Sequence, residues 1–277
     1  MLFNIWGIEI ELDYLNEKEK EYILNLSKDL PSIKWVWKEM NRIWDELGLD
    51  NKKELDKQKI GEYYNHPVWI MNGIFVEQDE ISKNNRINIA SYLKKNNIIK
   101  IADYGGGAGV LAKKIVELNS DAIVDIIEPY PFNFFKERLK NIPNITFTSK
   151  FRDNQYECII LQDILEHLEN PIDIVNEVSK FVKNKGLLIF GNCFYPVIKC
   201  HLPKTFYLRH LFKFILEDMG LTYIGRIPNV DYAMIFRKDI EYLKIEKFKS
   251  KEKFYRIIGN FLNLFISIIS RIKRVFL

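Results

Sequence analysis

Long apolar runs are missing from this chain of 277 residues. No stretch reaches the roughly eighteen apolar residues that a membrane-spanning helix needs. Cysteine is scarce, with only Cys158, Cys193 and Cys200, an odd number without CxxC spacing or a clustered histidine set. A disulfide framework and a structural zinc are therefore not expected. The start, Met1-Leu-Phe-Asn-Ile-Trp6, lacks a basic segment and soon meets Glu9 and Glu11. It does not read as a secretory leader, so a cytoplasmic location is expected. Net charge is only +4, too mild to imply nucleic acid. Internal repeats and low-complexity segments are also absent.

What is present is globular composition, 47% hydrophobic and 28% charged, which excludes disorder and collagen-like structure. Charge is unevenly distributed. From Arg237 onward the chain carries +7, and the preceding body carries −3. A basic tail on a slightly acidic body points to an anionic surface as neighbour.

Periodicity divides the chain into three parts: a helical extension over 1–84, a core over 85–238 and a basic amphipathic tail over 239–277. In the extension, Ile33, Val36, Trp37, Met40, Ile43, Trp44 and Leu47 follow Pro31 at helical spacing. An aromatic segment from Tyr63 to Trp69 comes next, then a helix from about Ile81 to Lys95 with Ile87, Ala90 and Leu93 inward. The core alternates short apolar runs (98–103, 122–127, 145–147, 156–161, 186–190) with helices (110–118, 132–139, 171–182). A further helix is expected over 205–219, then strands over 221–227 and 232–237 joined at Pro228-Asn229. Strands alternating with helices give a doubly wound, mostly parallel α/β sheet of seven strands, Rossmann-like, ending in an antiparallel hairpin.

The strongest local signal is Ile101-Ala-Asp-Tyr-Gly-Gly-Gly-Ala-Gly109, between a strand and a helix. Glycines there let the backbone turn tightly and approach a ligand. Asp103 stands two residues before Gly105, where its carboxylate can orient the loop or meet a cationic group. Glu128 ends the next strand about twenty residues later, where nucleotide folds bind ribose hydroxyls. A dinucleotide fingerprint would need a glycine where Val110 stands, so the pyrophosphate-binding pattern fails.

These residues resemble the first motif of the class I S-adenosylmethionine-dependent methyltransferases, acid-x-Gly-x-Gly-x-Gly, met by Asp103, Gly105, Gly107 and Gly109. The segment from Tyr156 to Pro171, containing Glu166-His-Leu168, is similar to the fourth-strand region of the small-molecule branch. Phe181 to Phe190 resembles the turn into strand five. The resemblance covers roughly 85–238 and implies S-adenosylmethionine as cofactor. It implies that Asp103, Gly105 and Gly107 bind the methionine end and its surroundings, Glu128 the ribose hydroxyls, and that Gln162 lines the cofactor side of the cleft. The family's acidic adenine reader has no clear counterpart in 148–154, where Phe151 or Asp153 stand as candidates.

The methyl acceptor needs a base if it is a hydroxyl, and histidine suits that role near neutral pH. His167 follows strand four at the ligand-binding edge; it serves either as base or as the element holding the loop. The long segment from Gly191 to Pro203 offers Asn192, Tyr195 and the rival base His201, against a reading as a loop packed by Phe194, Tyr195 and Leu202. Arg209 and His210 are candidates for an anionic substrate group. Tyr64, His66, Trp69 and Asn72 read either as a cap over the site or as aromatic packing. No metal constellation stands out, so no metal site is expected.

In the tail, Arg256, Asn260, Asn263, Ser267, Ser270, Arg271 and Arg274 form one narrow polar stripe on an otherwise apolar helix. The wide apolar face must be buried, against an anionic membrane surface through 254–277, a second subunit or the body. The cations of the stripe, with Lys244 to Lys253 upstream, suit the anionic surface. The expected function is methyl transfer to a small molecule, sugar or lipid-linked intermediate, with the protein peripheral on the inner membrane face. The alternatives are a non-catalytic cofactor-binding or scaffold protein, and a protein or nucleic-acid methylase. Nucleic acid is disfavoured because Gln162-Asp-Ile-Leu stands where DNA amine methylases place Asp/Asn-Pro-Pro-aromatic, and because the core has no basic stripe.

Overall fold

A computed structural model describes residues 1–152 and 155–276, with the side chains of 270–276 left out. The chain opens with an antiparallel hairpin, β1 (Leu2–Ile5) and β2 (Ile8–Glu11), where only helices and irregular chain were expected. Its tight turn is built by Trp6 and Gly7, both at positive φ. The strands were missed because each has only four residues, too few for a period-two signal.

Five helices follow: α1 (Glu17–Leu24), α2 (Ile33–Glu46), α3 (Lys57–Tyr64), α4 (Val68–Gln78) and α5 (Glu80–Lys95). Ser32, rather than Pro31, sets the start of α2 by accepting the Trp35 N–H. Val36, Met40, Ile43 and Trp44 are its buried stripe. In α5 the inward residues are Ile89, Ala90 and Leu93, whereas Ile87 is 37% exposed, which corrects the expected inward face. Helix α4 is buried on several sides, and its Gly73 lets it approach closely: a Cβ there would lie 2.4 Å from Phe135 and 2.8 Å from Ala108. The N-terminal core also takes in Phe134, Phe135, Cys200 and Leu202, so it is continuous with the rest of the protein.

The sheet begins at β3 (Lys100–Tyr104) and continues through α6 (Val110–Leu118), β4 (Ile123–Ile127), α7 (Asn133–Leu139), β5 (Ile145–Thr148) and β6 (Tyr156–Gln162). Then come α8 (Pro171–Ser179), β7 (Val182–Gly191), α9 (Phe212–Asp218), β8 (Leu221–Ile227) and β9 (Val230–Lys238). Strand order is β5-β4-β3-β6-β7-β9-β8, with β9 antiparallel to both neighbours and the other pairings parallel. One core covers the α8 and α9 face, another the α5 and α6 face. Because β3, β4, β6 and β7 are parallel, their C-terminal ends share one edge, which is where such sheets bind ligands. Two boundaries differ from expectation: β7 already starts at Val182, which ends α8 at Ser179. The helix expected over 205–219 is a 3-10 turn, Pro203–Arg209, followed by α9.

The chain closes with α10 (Ile245–Phe276). Asp218 anchors its start by accepting from Lys251 at 3.0 Å and Tyr255 at 2.9 Å. Together with Lys247, these partners pull the Asp218 carboxyl down to about 2. Farther along, two residues of the polar stripe, Arg256 and Asn263, face the protein, whereas Asn260 is exposed. Arg256 donates to the Lys204 carbonyl at 3.1 Å and sits over the Tyr207 ring, and Asn263 donates to the Phe206 carbonyl at 2.8 Å.

Gly259 lies at a point of very close approach in this docking, where a Cβ would fall 2.2 Å from the Tyr207 carbonyl oxygen. Helix propensity alone favours alanine over glycine by about 1 kcal/mol. Here steric overlap with backbone wins, so Gly259→Ala is expected to destabilise the protein by about 1–3 kcal/mol. Urea unfolding measures it, and a gain in stability would show that α10 does not dock through this face.

Candidate functional site

The turn after β3 is held open from two sides. Gly105, Gly107 and Gly109 all have positive φ, which disfavours any side chain. A Cβ on Gly109 would strike Leu139 and Ile126, so this glycine serves helix-on-sheet packing. A Cβ on Gly107 would meet nothing closer than the Gly105 carbonyl at 4.0 Å, so this glycine borders open space. Glu128, just beyond β4, braces the turn: its Oε2 accepts the Gly107 N–H at 3.0 Å and its Oε1 accepts the Tyr130 N–H at 3.0 Å. Burial raises the Glu128 carboxyl, and these two N–H donors pull it back.

Asp103 is buried, with its Oδ2 lacking any hydrogen-bond partner. Burial pushes its carboxyl up to about 7, against the opposing pull of Arg86 on α5. A buried carboxylate without a donor is costly unless a cation or donor arrives. The residues thus fit S-adenosylmethionine: a cradle open at Gly107, an acid awaiting a cationic or donor group, and a second acid with lone pairs for hydroxyls. One side chain narrows the cradle, because Ile164 Cδ1 would lie 2.2 Å from a Cβ on Gly105.

A second constellation sits beside it, between the turn after β6 and the loop after β7. Glu166 is fully buried; its Oε1 accepts the Cys193 N–H at 2.7 Å and its Oε2 has no partner. His167 and His201 meet edge to face with ring centroids 4.9 Å apart. Each points Nδ1 at a backbone carbonyl, His167 at Cys200 O at 3.1 Å and His201 at Tyr195 O at 2.9 Å. A carbonyl can only accept, so in each neutral ring Nδ1 carries the proton and Nε2 the lone pair. Burial keeps both rings neutral, lowering His167 to about 3, with His201 adding to the effect, and lowering His201 as well. Burial, then the charge of Asp163, push Glu166 up to about 8. Around the cluster, Trp69 Nε1 and both amide atoms of Asn192 are buried and unpartnered.

The cap closes over this edge. Tyr64 stacks on Tyr130, next to Glu128, with centroids 5.8 Å apart, and Trp69 lies 6.5 Å from His167. His66 acts locally, its Nδ1 accepting the Val68 N–H at the start of α4.

The structure therefore brings Asp103, Gly105, Gly107, Gly109 and Glu128 into one turn, and His167, His201 and Tyr195 into one loop cluster. Tyr195 contributes its carbonyl to His201; its exposed ring lies under the Arg209 guanidinium at 4.8 Å. Gln162 is turned toward β9, where its amide donates to the Tyr232 hydroxyl at 2.8 Å. Of the adenine candidates, Phe151 stacks between Tyr104 and Phe181, and Asp153 lies outside the described residues. Sequence reading missed Arg86, whose position on α5 carried no motif, and the convergence of Glu166 with both histidines. No metal set was expected, yet one ligating atom from each of Glu166, His167 and His201 lies within 4.8 Å of the others. A surface groove of about 560 Å³, lined by Asn51, Lys52, Lys53, Glu54, Glu169, Pro203 and Lys204, lies next to this loop, with Asn51 donating to the Lys199 carbonyl.

Residues 102–190 match a family described as a methyltransferase domain. Among solved structures, the fold is similar to human N-acetylserotonin methyltransferase in complex with S-adenosylmethionine. That match has 14% identity and a TM-score of 0.51, covering 80% of this chain and 70% of the other. It is also similar to an O-methyltransferase family protein from Burkholderia thailandensis (12%, TM-score 0.47, 74% and 70% covered). A candidate O-methyltransferase from Nostoc punctiforme matches at 12% with TM-score 0.48, covering 62% of this chain. The chain spans 61% of the length of that Nostoc protein. No curated protein matches the sequence. The family match over residues 102–190 and the shared fold agree with the resemblance to class I S-adenosylmethionine-dependent methyltransferases carried by the sequence motifs.

Asp103 generates a pH signature in the cofactor-free protein. Its folded pKa, near 7, lies above its unfolded value of 3.8, so between these values the folded state binds the extra proton. Its contribution to stability is then lost as pH rises from about 4 to about 7. Asp103→Asn should flatten this fall, by an amount on the order of a few kcal/mol at most. Urea midpoints at several pH values for both proteins measure it, and parallel curves would show that Asp103 is already compensated.

Proposed function

We propose that this chain transfers a methyl group from S-adenosylmethionine to an oxygen of a small-molecule, glycan or lipid-linked acceptor. The observation that carries the reading is the open, acid-lined glycine turn beside two neutral imidazoles, all at one sheet edge. When bound, the cofactor supplies a methyl already activated by its sulfonium.

The protein's own residues provide position and proton handling. Glu128 keeps lone pairs for the ribose hydroxyls while its bonds to the Gly107 and Tyr130 N–H groups fix its geometry. Asp103 and Arg86 supply opposite charges for the ammonium and carboxylate of the methionine end. The cap residues Tyr64 and Trp69 exclude water, which strengthens electrostatic contacts and aligns the reactants. Nε2 of His201 or His167 accepts the proton of the acceptor hydroxyl; both rings are neutral and their Nδ1 protons are held by carbonyls. Asn192, buried with an unused amide, orients the acceptor.

Ile164 over Gly105 favours a second reading, cofactor binding without turnover, because it fills part of the cradle. Calorimetric titration with S-adenosylmethionine, with NAD as control, separates the outcomes. Saturable binding is expected, weakened by about 1–3 kcal/mol in Glu128→Ala through lost charge-assisted hydrogen bonds. It should be abolished in Gly107→Arg, whose side chain enters the open cradle. Binding without transfer to any acceptor would support the second reading, and a preference for NAD would end both.

The reading extends to an anionic membrane surface as neighbour of the tail. No helix among the described residues is long and apolar enough to cross a membrane. Helix α10 instead turns Phe254, Ile257, Phe261, Leu264, Phe265 and Ile268 outward, all exposed, while Arg256 and Asn263 of its polar stripe bond to the protein. An outward apolar face with Arg271, Lys273 and Arg274 near its end has the composition of an interfacial helix. Lys247 and Lys251, read from sequence as membrane contacts, are instead paired with Asp218. Replacing Phe261, Leu264 and Phe265 together by serine should release the protein from anionic vesicles in a co-sedimentation assay and leave cofactor affinity intact. Undiminished sedimentation would remove the membrane from this account.

A further inference from the structure

Glu166, His167 and His201 pose a problem that the transfer reaction alone does not solve. Three lone-pair-bearing groups converge: one ligating atom from each lies within 4.8 Å of the other two. Both histidines direct their Nδ1 protons outward to the carbonyls of Cys200 and Tyr195, which leaves each an Nε2 lone pair. Glu166 adds an oxygen that is buried and unpartnered. Lone pairs gathered in a mostly buried space are costly unless a proton or a cation sits among them.

We propose that Glu166, His167 and His201 form a site for one divalent transition-metal cation, of the Zn²⁺ or Co²⁺ type, with an open position toward the acceptor cleft. Two imidazoles and one carboxylate, without thiolate, are a donor set that such borderline ions accept. The orientation of the rings agrees, since ligating histidines characteristically donate their second ring N–H to a backbone carbonyl or carboxylate, which fixes the tautomer. The supports are themselves well placed: the Glu166 carbonyl accepts the Leu202 N–H at 2.9 Å, and its Oε1 accepts the Cys193 N–H. These bonds hold the loop carrying His201 against the turn carrying His167.

Ligand atoms around a four-coordinate ion with bonds of about 2.0–2.2 Å sit roughly 3.3–3.6 Å apart. The cluster must therefore contract by about an ångström on loading, within reach of side-chain rotation and a small shift of the His201 loop. Three protein ligands leave a fourth position. Resting on the proposed transfer reaction, that position would take the acceptor oxygen and lower its pKa, with the released proton passing to solvent water. The two imidazoles would then act as ligands rather than as proton acceptors.

The test reads metal directly and needs no acceptor. Full-length protein is freed of metal by dialysis against chelator and titrated with Co²⁺ while its visible absorption is followed. Zn²⁺ is then measured by competition with a chromophoric chelator. Uptake of one Co²⁺ per chain is expected, displaced by Zn²⁺, with affinity at least about tenfold weaker in His167→Gln and in His201→Gln. Circular dichroism and urea midpoints confirm that the variants are folded, and Glu166→Gln serves as a third variant that preserves shape. Wild-type protein that takes up no Co²⁺ overturns the proposal whatever the variants do, and so does equal affinity in the folded variants. Failure to bind S-adenosylmethionine would strike the transfer reading and leave the metal result standing.

Discussion

Glu166 is the side chain on which the arrangement at the sheet edge depends. Its carboxylate accepts the Cys193 N–H and its backbone carbonyl accepts the Leu202 N–H. The two bonds tie the turn after β6 to both ends of the long loop after β7. That loop returns to the cap through Asn51, which donates to the Lys199 carbonyl, and through Cys200 and Leu202, which are buried in the N-terminal core. Remove the carboxylate and the loop loses its inner anchor, His201 loses its fixed relation to His167, and the cap loses part of its floor. A buried acid with one unused oxygen is expensive to fold around. Its presence at the meeting point of three chain segments is best understood as a cost tied to function.

The sheet was legible in the sequence because its strands are buried on both faces and so appear as short, nearly continuous apolar runs between amphipathic helices. Helix α6 matches its expected limits, Val110 to Leu118, because Gly109 and a clear stripe mark it. What failed was local. Four-residue strands at the N-terminus fall below any periodic signal, and the break between the 203–209 turn and α9 has no glycine or proline to mark it. The glycine turn with Asp103 and Glu128 was readable because it is contiguous or spaced by one βαβ unit. The Glu166, His167 and His201 cluster was not, since His201 approaches only through folding of a loop 34 positions farther on. Gln162 shows the same limit from the other direction: its place at a strand end was correct, and its side chain found Tyr232.

In the tail, polar and apolar side chains both meet the body. The polar stripe is real, but Arg256 and Asn263 use it to satisfy backbone carbonyls of the 203–209 turn, whose own partners are incomplete in a 3-10 geometry. Polar groups that meet otherwise unsatisfied carbonyls can face inward, and part of the broad apolar face is then left outside. Gly259 allows the backbones to touch at that point. The helix is anchored to the body through Arg256 and Asn263 together with the apolar Phe248, Ile258 and Leu262, while Phe254, Ile257, Phe261, Leu264 and Phe265 remain exposed.

The electrostatics of the edge share one sign. Burial raises the carboxyls of Asp103, Glu128 and Glu166 and lowers the imidazoles of His167 and His201. Each shift moves its group toward the uncharged form, because desolvation outweighs the opposing contributions, Arg86 at Asp103 included. A site built only for stability would pair these groups with one another, as Asp125 on β4 is paired with Arg152 and Tyr156. Here the histidine protons point away, and one oxygen each of Asp103 and Glu166 remains unused. The unmet demand is for positive charge and hydrogen-bond donors. On the proposed readings, a sulfonium cofactor with its ammonium and ribose hydroxyls would answer it at the glycine turn, and a cation with an acceptor hydroxyl would answer it at the histidine pair. Binding at either place would relieve a cost already present in the folded chain, so ligand affinity and protein stability are coupled through the same few buried atoms.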